Sequence, residues 1–242
     1  CTSTVVNIVA HEDDDLLFMN PAIVNDLRAG ACATTVFVTA GDAGGGSEYW
    51  QDREHGPEAA YNTMLGLSSS SAWTVAQQTY AGHSIRTSTS AGGAVTLVYL
   101  RLPDGGLQGD GFASTGNHSL EMLSDGRINT LSAVDNSASY TRAGLIQTMA
   151  AIVAAKNPVA VRVQDARSGQ GDHADHLTVG RLAQESLIGF NGTVTAYRGY
   201  NVVNDAANVA GADLSRKTAA LLSYADHDPA LCESESSCPT GV

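Results

Sequence analysis

Positive charge is the scarcest thing in this chain. Its 242 residues hold 13 lysines and arginines against 25 aspartates and glutamates, a formal net charge of −12, and Lys156 and Lys217 are its only lysines. Without a basic patch to neutralise phosphates, nucleic acid and anionic membrane surfaces are poor candidates as partners. No apolar run approaches the roughly 20 residues of a membrane span. There is no G-x-S-x-G elbow, which argues against a serine hydrolase. The glycine run Gly41 to Gly46 lacks the G-x-G-x-x-G spacing and follows the second apolar run, not the first. The first run ends instead in acids, which would repel a pyrophosphate, so a nicotinamide-dependent oxidoreductase is not expected.

Cysteines are few, but their positions are informative. Cys232 and Cys238 flank Glu-Ser-Glu-Ser-Ser, which has no apolar residue to fold it. A disulfide there would staple the tail from about residue 228 to 242. Cys1 precedes the first expected strand and Cys32 the second. Parallel strands joined by one helix start at the same edge, so these two cysteines could meet. The even count favours an oxidising, extracellular compartment, hence a secreted protein. The alternatives are four free thiols in a cytosolic protein, or a lipid-modified Cys1 that leaves one cysteine unpaired. No stretch has the pattern of a signal peptide, and the chain opens at Cys1 as a processed or trimmed protein would.

What is present is a regular alternation. The composition, 43% hydrophobic, suffices for the core of one large domain spanning 1–242. Strands are expected over Val5–Ala10, Thr35–Ala40, Trp73–Tyr80, Ser84–Ser88, Val95–Leu102, Val159–Val163 and Val194–Tyr197. Helices are expected over Pro21–Ala29, Arg53–Gly66, Thr141–Ala155, His173–Leu187 and Leu214–Tyr224. A long loop rich in glycine and aspartate runs from Pro103 to Thr115. This pattern predicts an α/β fold: a Rossmann-like, mostly parallel sheet with helices on both faces.

The chemistry concentrates at two strand ends. After Val5–Ala10 come His11 and four consecutive acids, Glu12, Asp13, Asp14 and Asp15. Adjacent carboxylates repel unless a cation or a helix N-terminus sits among them. His11 and Asp14, three apart, can face one way and offer a nitrogen and an oxygen to a divalent metal. The plainer alternative is an acidic helix cap. After Val159–Val163 and a polar loop comes His173-Ala174-Asp175-His176, with two histidines three apart where a helix opens. In an open α/β sheet ligands bind just past the C-terminal strand ends. Two such half-sites on one rim make a specific signal. His55, His83, His118 and His227 have no such partner cluster and are expected to be surface or hydrogen-bonded histidines.

Together His11-Glu12-Asp13-Asp14-Asp15 and His173-Ala174-Asp175-His176 resemble the paired A-H-P-D-D-E and H-P-D-H signatures of the PIG-L/LmbE-type deacetylases. The resemblance covers most of the chain and implies an LmbE-like fold and a zinc-dependent N-deacetylase acting on N-acetylglucosamine-type amides. It implies His11, Asp14 and His176 as metal ligands, for Zn2+ or another divalent ion, and Asp13 as general base. His173 would stabilise the oxyanion or protonate the leaving amine, with Asp175 orienting it. Arg53 matches a substrate-binding arginine, and Asp104 could hydrogen-bond sugar hydroxyls or be a plain turn residue. Glu12 and Ala174 stand where the family has prolines and Asp15 where it has glutamate; none of these changes removes a ligand or the base.

The residue types also fit amide hydrolysis on chemical grounds. An amide is a poor electrophile and an amine a poor leaving group, so a polarised carbonyl, an activated water and a proton donor are all needed. The competing reading is a metal-stabilised carbohydrate-binding domain without catalysis. It would keep the three ligands but need neither Asp13 nor His173.

Overall fold

The computed structural model describes residues 1–167 and 171–231. Cys232 and Cys238, and the disulfide expected between them, lie outside the described residues. Seven strands form the main sheet: β1 Thr4–Val9, β2 Cys32–Thr39, β3 Thr74–Tyr80, β4 His83–Thr89, β5 Val95–Leu102, β8 Ala160–Gln164 and β9 Thr193–Tyr197. Their spatial order is β3-β4-β5-β2-β1-β8-β9. The five strands from β5 to β9 run parallel, and the β3–β4 hairpin adds an antiparallel edge.

Side chains alternate across each strand, and β1 shows both faces. Val6 and Ile8 point into one core, which α4 (Arg142–Lys156), α5 (Ala174–Ser186) and the short α3 (Leu120–Ser124) close through Leu145, Met149, Ile152, Leu182 and Leu123. Val5 and Val9 point into the other, closed by α1 (Ala22–Arg28), α2 (Ser47–Met64) and α6 (Gly211–Ala225) through Ile23, Leu27, Tyr61, Met64 and Tyr224. Helices therefore cover both faces, as the alternation predicts. Truncating a fully buried member such as Ile8 to alanine would cost about 2–5 kcal/mol.

Several elements differ from expectation. β2 begins at Cys32, three residues early, because it pairs with β1 from Thr4↔Cys32 onward. That register puts Cys1 beside Cys32; the two are disulfide-bonded with Cα atoms 5.5 Å apart. α2 starts at Ser47, not Arg53, because the glycine loop ends there and the helix needs no apolar stripe in its first turn. A single π-helical turn, Asp15–Met19, begins at the last residue of the acid run. Two-residue strands β6 (Leu131–Ser132) and β7 (Ser139–Tyr140) form a hairpin in the connection after α3. These pieces are too short to leave a period in the sequence.

The strand order reverses between β1 and β8: the chain runs outward one way through β2 and β5, then returns to lay β8 on the other side of β1. Such a switch point opens a crevice past the C-terminal strand ends. Both histidine motifs sit there.

Candidate active site

Where the β1–β8 ladder ends at Ile8↔Val163, the side chain of Gln164 continues it. Its Oε1 accepts the Ala10 N–H at 3.0 Å and its Nε2 donates to Asp14 Oδ2 at 2.9 Å. The His11 N–H donates to the same Oδ2 at 2.7 Å. One oxygen of Asp14 is thus saturated, and the other is turned toward His176, 3.0 Å from Nε2. Both Asp14 Oδ1 and His176 Nε2 are buried and neither makes a hydrogen bond. An acceptor and an imidazole nitrogen left facing one point, without hydrogen-bond alignment, is the arrangement a cation resolves.

The other nitrogen of His176 is fixed. Nδ1 is 2.7 Å from Asp172 Oδ1, and that carboxylate also accepts the N–H groups of His173, Gly199 and Tyr200. A carboxylate taking the Nδ1 proton leaves the Nε2 lone pair free for a metal. Gly199 has to be glycine, because a Cβ there would collide with both Asp172 and His176. Sequence reasoning misses Asp172 as a functional residue. Its one signal is its spacing, four residues before His176 where a helix opens.

Ring nitrogens of His11, His173 and His176 lie within 4.8 Å of one another, and Asp104 and Asp175 offer oxygens to the same cluster. His11 Nδ1 is 3.4 Å from Asp14 Oδ2. Burial works to lower the His176 pKa, but Asp14 and Asp172 outweigh it and push it up to about 9. His11 is likewise held well above its ordinary value by Asp14 against the effect of burial. This pocket favours positive charge, as a metal site must. Of the expected ligands, His11 and His176 share one cluster of ring nitrogens with His173, and Asp14 lies against both, 3.4 Å from His11 Nδ1 and 3.0 Å from His176 Nε2, a donor set that suits a divalent ion.

Asp13 is tied to α2. Its Oδ1 pairs with Arg53 Nη2 at 3.0 Å. Burial raises the Asp13 pKa, the Arg53 guanidinium opposing it. Arg53 is expected to meet substrate, but all three of its nitrogens are engaged inside the protein. Nη1 donates to Gly41 O, Nε reaches Tyr224 Oη and Asp228, and Nη2 holds Asp13. What the arginine touches is the expected base, which it fixes in place. Gly41, at φ +51°, lets the loop close over it, since a Cβ there would strike Arg53 and Glu12.

His173 caps α5, and its Nδ1 accepts the backbone N–H of Asp175 at 3.2 Å. The proton of the neutral ring therefore sits on Nε2, 3.7 Å from Asp104 Oδ1. Asp175 orients His173 through its main chain. Its carboxylate instead accepts the Gly105 N–H at 2.8 Å and lies 3.4 Å from His11 Nε2. Asp104 is buried, accepts the Gly106 N–H and faces both His11 and His173. It belongs to the histidine cluster. The rings of Phe18 and Tyr200 flank His176, with centroids 5.6 and 4.9 Å away.

Comparison with known proteins agrees with this geometry. No curated protein matches the chain. Among solved structures, N,N'-diacetylchitobiose deacetylase from Pyrococcus horikoshii superposes with a TM-score of 0.56 at 16% identity, over 94% of this chain and 72% of that one. A deacetylase–teicoplanin complex from the teicoplanin biosynthesis pathway gives 0.54 at 14% identity, over 95% and 88%. The conserved protein TT1542 from Thermus thermophilus gives 0.51 at 16%, over 92% and 79%. At these identities the likeness establishes the shared α/β fold. The PIG-L family model, described as GlcNAc-PI de-N-acetylase, matches residues 6–187, from within β1 through the end of α5. With both motifs inside that match and meeting at one switch point, the chain belongs to the PIG-L family and is a metal-dependent N-deacetylase.

Proposed function

We propose that this enzyme uses zinc to remove an acetyl or similar acyl group from an amino sugar, in an extracellular setting. The observation that carries the reading is the unpartnered pair Asp14 Oδ1 and His176 Nε2, beside a carboxylate and an imidazole that no ligand role requires. His11, Asp14 and His176 would hold the ion, whose chemistry is to polarise the amide carbonyl and lower the pKa of a water. Asp13, fixed by Arg53, takes the proton from the attacking water. His173, its Nε2 proton set by the Asp175 N–H, gives a proton to the departing amine. Asp104 and Asp175 keep the two rings oriented. The disulfide Cys1–Cys32 supports an oxidising compartment.

The test is metal content with acetate release from N-acetylglucosamine and its short oligomers, for the wild type and His176→Ala. About one zinc per chain, lost in the variant together with turnover, is the expected result. Zinc bound without turnover on any acetamido sugar would remove the amino-sugar assignment, and absence of metal would remove the whole reading.

A further inference from the structure

The reaction above uses Asp13 but none of the residues behind its arginine. Arg53 stands between two buried acids from opposite ends of the chain, Asp13 3.0 Å from Nη2 and Asp228 2.9 Å from Nε. Every contact of the Asp228 carboxylate is internal. Its Oδ2 accepts the Tyr224 hydroxyl at 3.0 Å, and its Oδ1 accepts the Tyr49 hydroxyl and the Ala230 N–H at 3.3 and 3.0 Å. Tyr224 Oη in turn accepts the Arg53 Nε–H at 2.9 Å, so Tyr224, Asp228 and Arg53 close a triangle on one edge of the guanidinium. Gly41 O accepts from Nη1 at 2.6 Å. A planar guanidinium held at Nε and Nη1 has no rotation left, which sets the direction of Nη2. It points at Asp13.

Stability alone gives no reason for this arrangement. A buried ion pair can often be exchanged for apolar groups of like volume without loss. Position does give a reason. A catalytic group has to be held to within about 0.5 Å of its productive place by side chains that are themselves locked, and a misplacement caused far from the chemistry still costs rate.

The sequence of α2 agrees. Gly56 and Pro57 stand together inside the helix, about one turn past Arg53. Glycine weakens a helix interior, and proline cannot donate to the carbonyl four residues back, here that of Arg53 itself. At Gly56 the structure shows the cause, because a Cβ there would strike the Tyr224 ring. The helix gives up a side chain where α6 has to come close enough for the Tyr224 hydroxyl to reach Arg53. Tyr224 and Asp228 also lie past residue 187, where the family match ends. Asp13 and Arg53 are inside the match, and what braces them comes from outside it.

We propose that Asp228, together with Tyr224, is a positioning residue for the general base: through Arg53 it sets where the Asp13 carboxylate stands relative to the attacking water. Neither residue has to touch substrate. The proposal rests on the reading of Asp13 as the base and extends it to the C-terminal part of the chain.

The test is a double-mutant cycle on the metal-loaded enzyme. Metal content, and kcat and KM for acetate release from N-acetylglucosamine, are measured for wild type, Asp228→Asn, Asp13→Asn and the double variant. Asp228→Asn keeps the size of the side chain and removes its charge. It is expected to lower kcat about 10–100-fold, the cost of a displaced group, with KM within about twofold and metal content unchanged. In the Asp13→Asn background the same substitution should cost less than about twofold, since no base is left to position. Equal cost in both backgrounds, a rise in KM in place of the fall in kcat, or loss of metal would overturn the positioning role. Full activity in Asp228→Asn beside an inactive Asp13→Asn would also overturn it and leave the base standing. Full activity in Asp13→Asn would remove the base and the proposal together. If Asp228→Asn does not fold, Tyr224→Phe takes its place in the cycle, with an expected loss in kcat of about 3–10-fold for one hydrogen bond; it keeps the ring over Gly56, and an unchanged kcat would overturn the proposal. If no acetamido sugar is turned over, a crystal structure of metal-loaded Asp228→Asn decides alone. An Asp13 carboxylate displaced by about 0.5 Å or more upholds the proposal, and an unmoved one removes it.

Discussion

After β1 the chain lays down four carboxylates in a row; after β8 it lays down two histidines, each preceded by an aspartate, Asp172 or Asp175. In the first loop, three of the side chains find partners far off in sequence. Asp13 goes to Arg53 in α2, Asp14 to Gln164 in β8, and Asp15 to Tyr61 at the far end of α2. Glu12, the fourth, is buried near Arg53, and burial pushes it up to about 8 and Asp15 up to about 7. Asp14 is the opposite case: burial would raise it, and His176 and His11 hold it well below the usual carboxylate range. In the second loop the contacts that aim the two rings are local, although Asp172 and Asp175 also take distant main-chain N–H groups. Asp172 holds His176 four residues on, and the Asp175 N–H holds His173 two residues back. The first loop is part of the fold and distributes charge through it. The second is a mounting that aims two nitrogens.

That difference can be broken by substitution. Asp13→Asn should lower kcat by about 10²–10⁴-fold while leaving metal content near wild type, the result expected of a base that is not a ligand; surviving activity would dismiss Asp13 as the base. Arg53→Leu should lower stability by about 3–5 kcal/mol, since Asp13 and Asp228 would be left as uncompensated buried acids. A chemical-denaturation curve reads this. Asp172→Asn should weaken metal affinity about 10–100-fold with the unfolding midpoint of the metal-free protein nearly unchanged. If it destabilises as much as Arg53→Leu, the second loop is not a local mounting. Tyr61→Phe should cost least, about 1–2 kcal/mol in the same unfolding measurement with metal content intact, because Asp15 loses its donor inside the first loop's network.

The legible parts of the molecule are those written in local patterns. Val5–Ala10, Thr35–Ala40 and Val95–Leu102 are runs of β-branched and apolar residues whose burial is two-sided, and the helices between them carry apolar stripes, so sheet and layers follow directly. His11, Asp14, His173 and His176 are legible because each motif keeps helical spacing within itself. Other residues escape because their partners are brought in by the fold. Asp172 reads as one more polar loop residue until Gly199 and Tyr200, 27 and 28 positions later, close over it. Asp228 gains its meaning only when α6 packs on α2 and sets it against Arg53. The burial of Arg53 is hidden for the same reason: a solvent-facing arginine and a buried one look identical in sequence.

The amide of Gln164 has a use beyond orientation. It spans the seam between β1 and β8, where the main-chain ladder has already run out, and its Oε1 is the partner of the Ala10 N–H. That one proton is therefore a gauge of the seam. Its exchange with deuterium should be slow while Asp14 is held and should quicken when the crevice opens, in step with metal release, so a single backbone signal in an NMR spectrum would follow the state of the active site without any substrate.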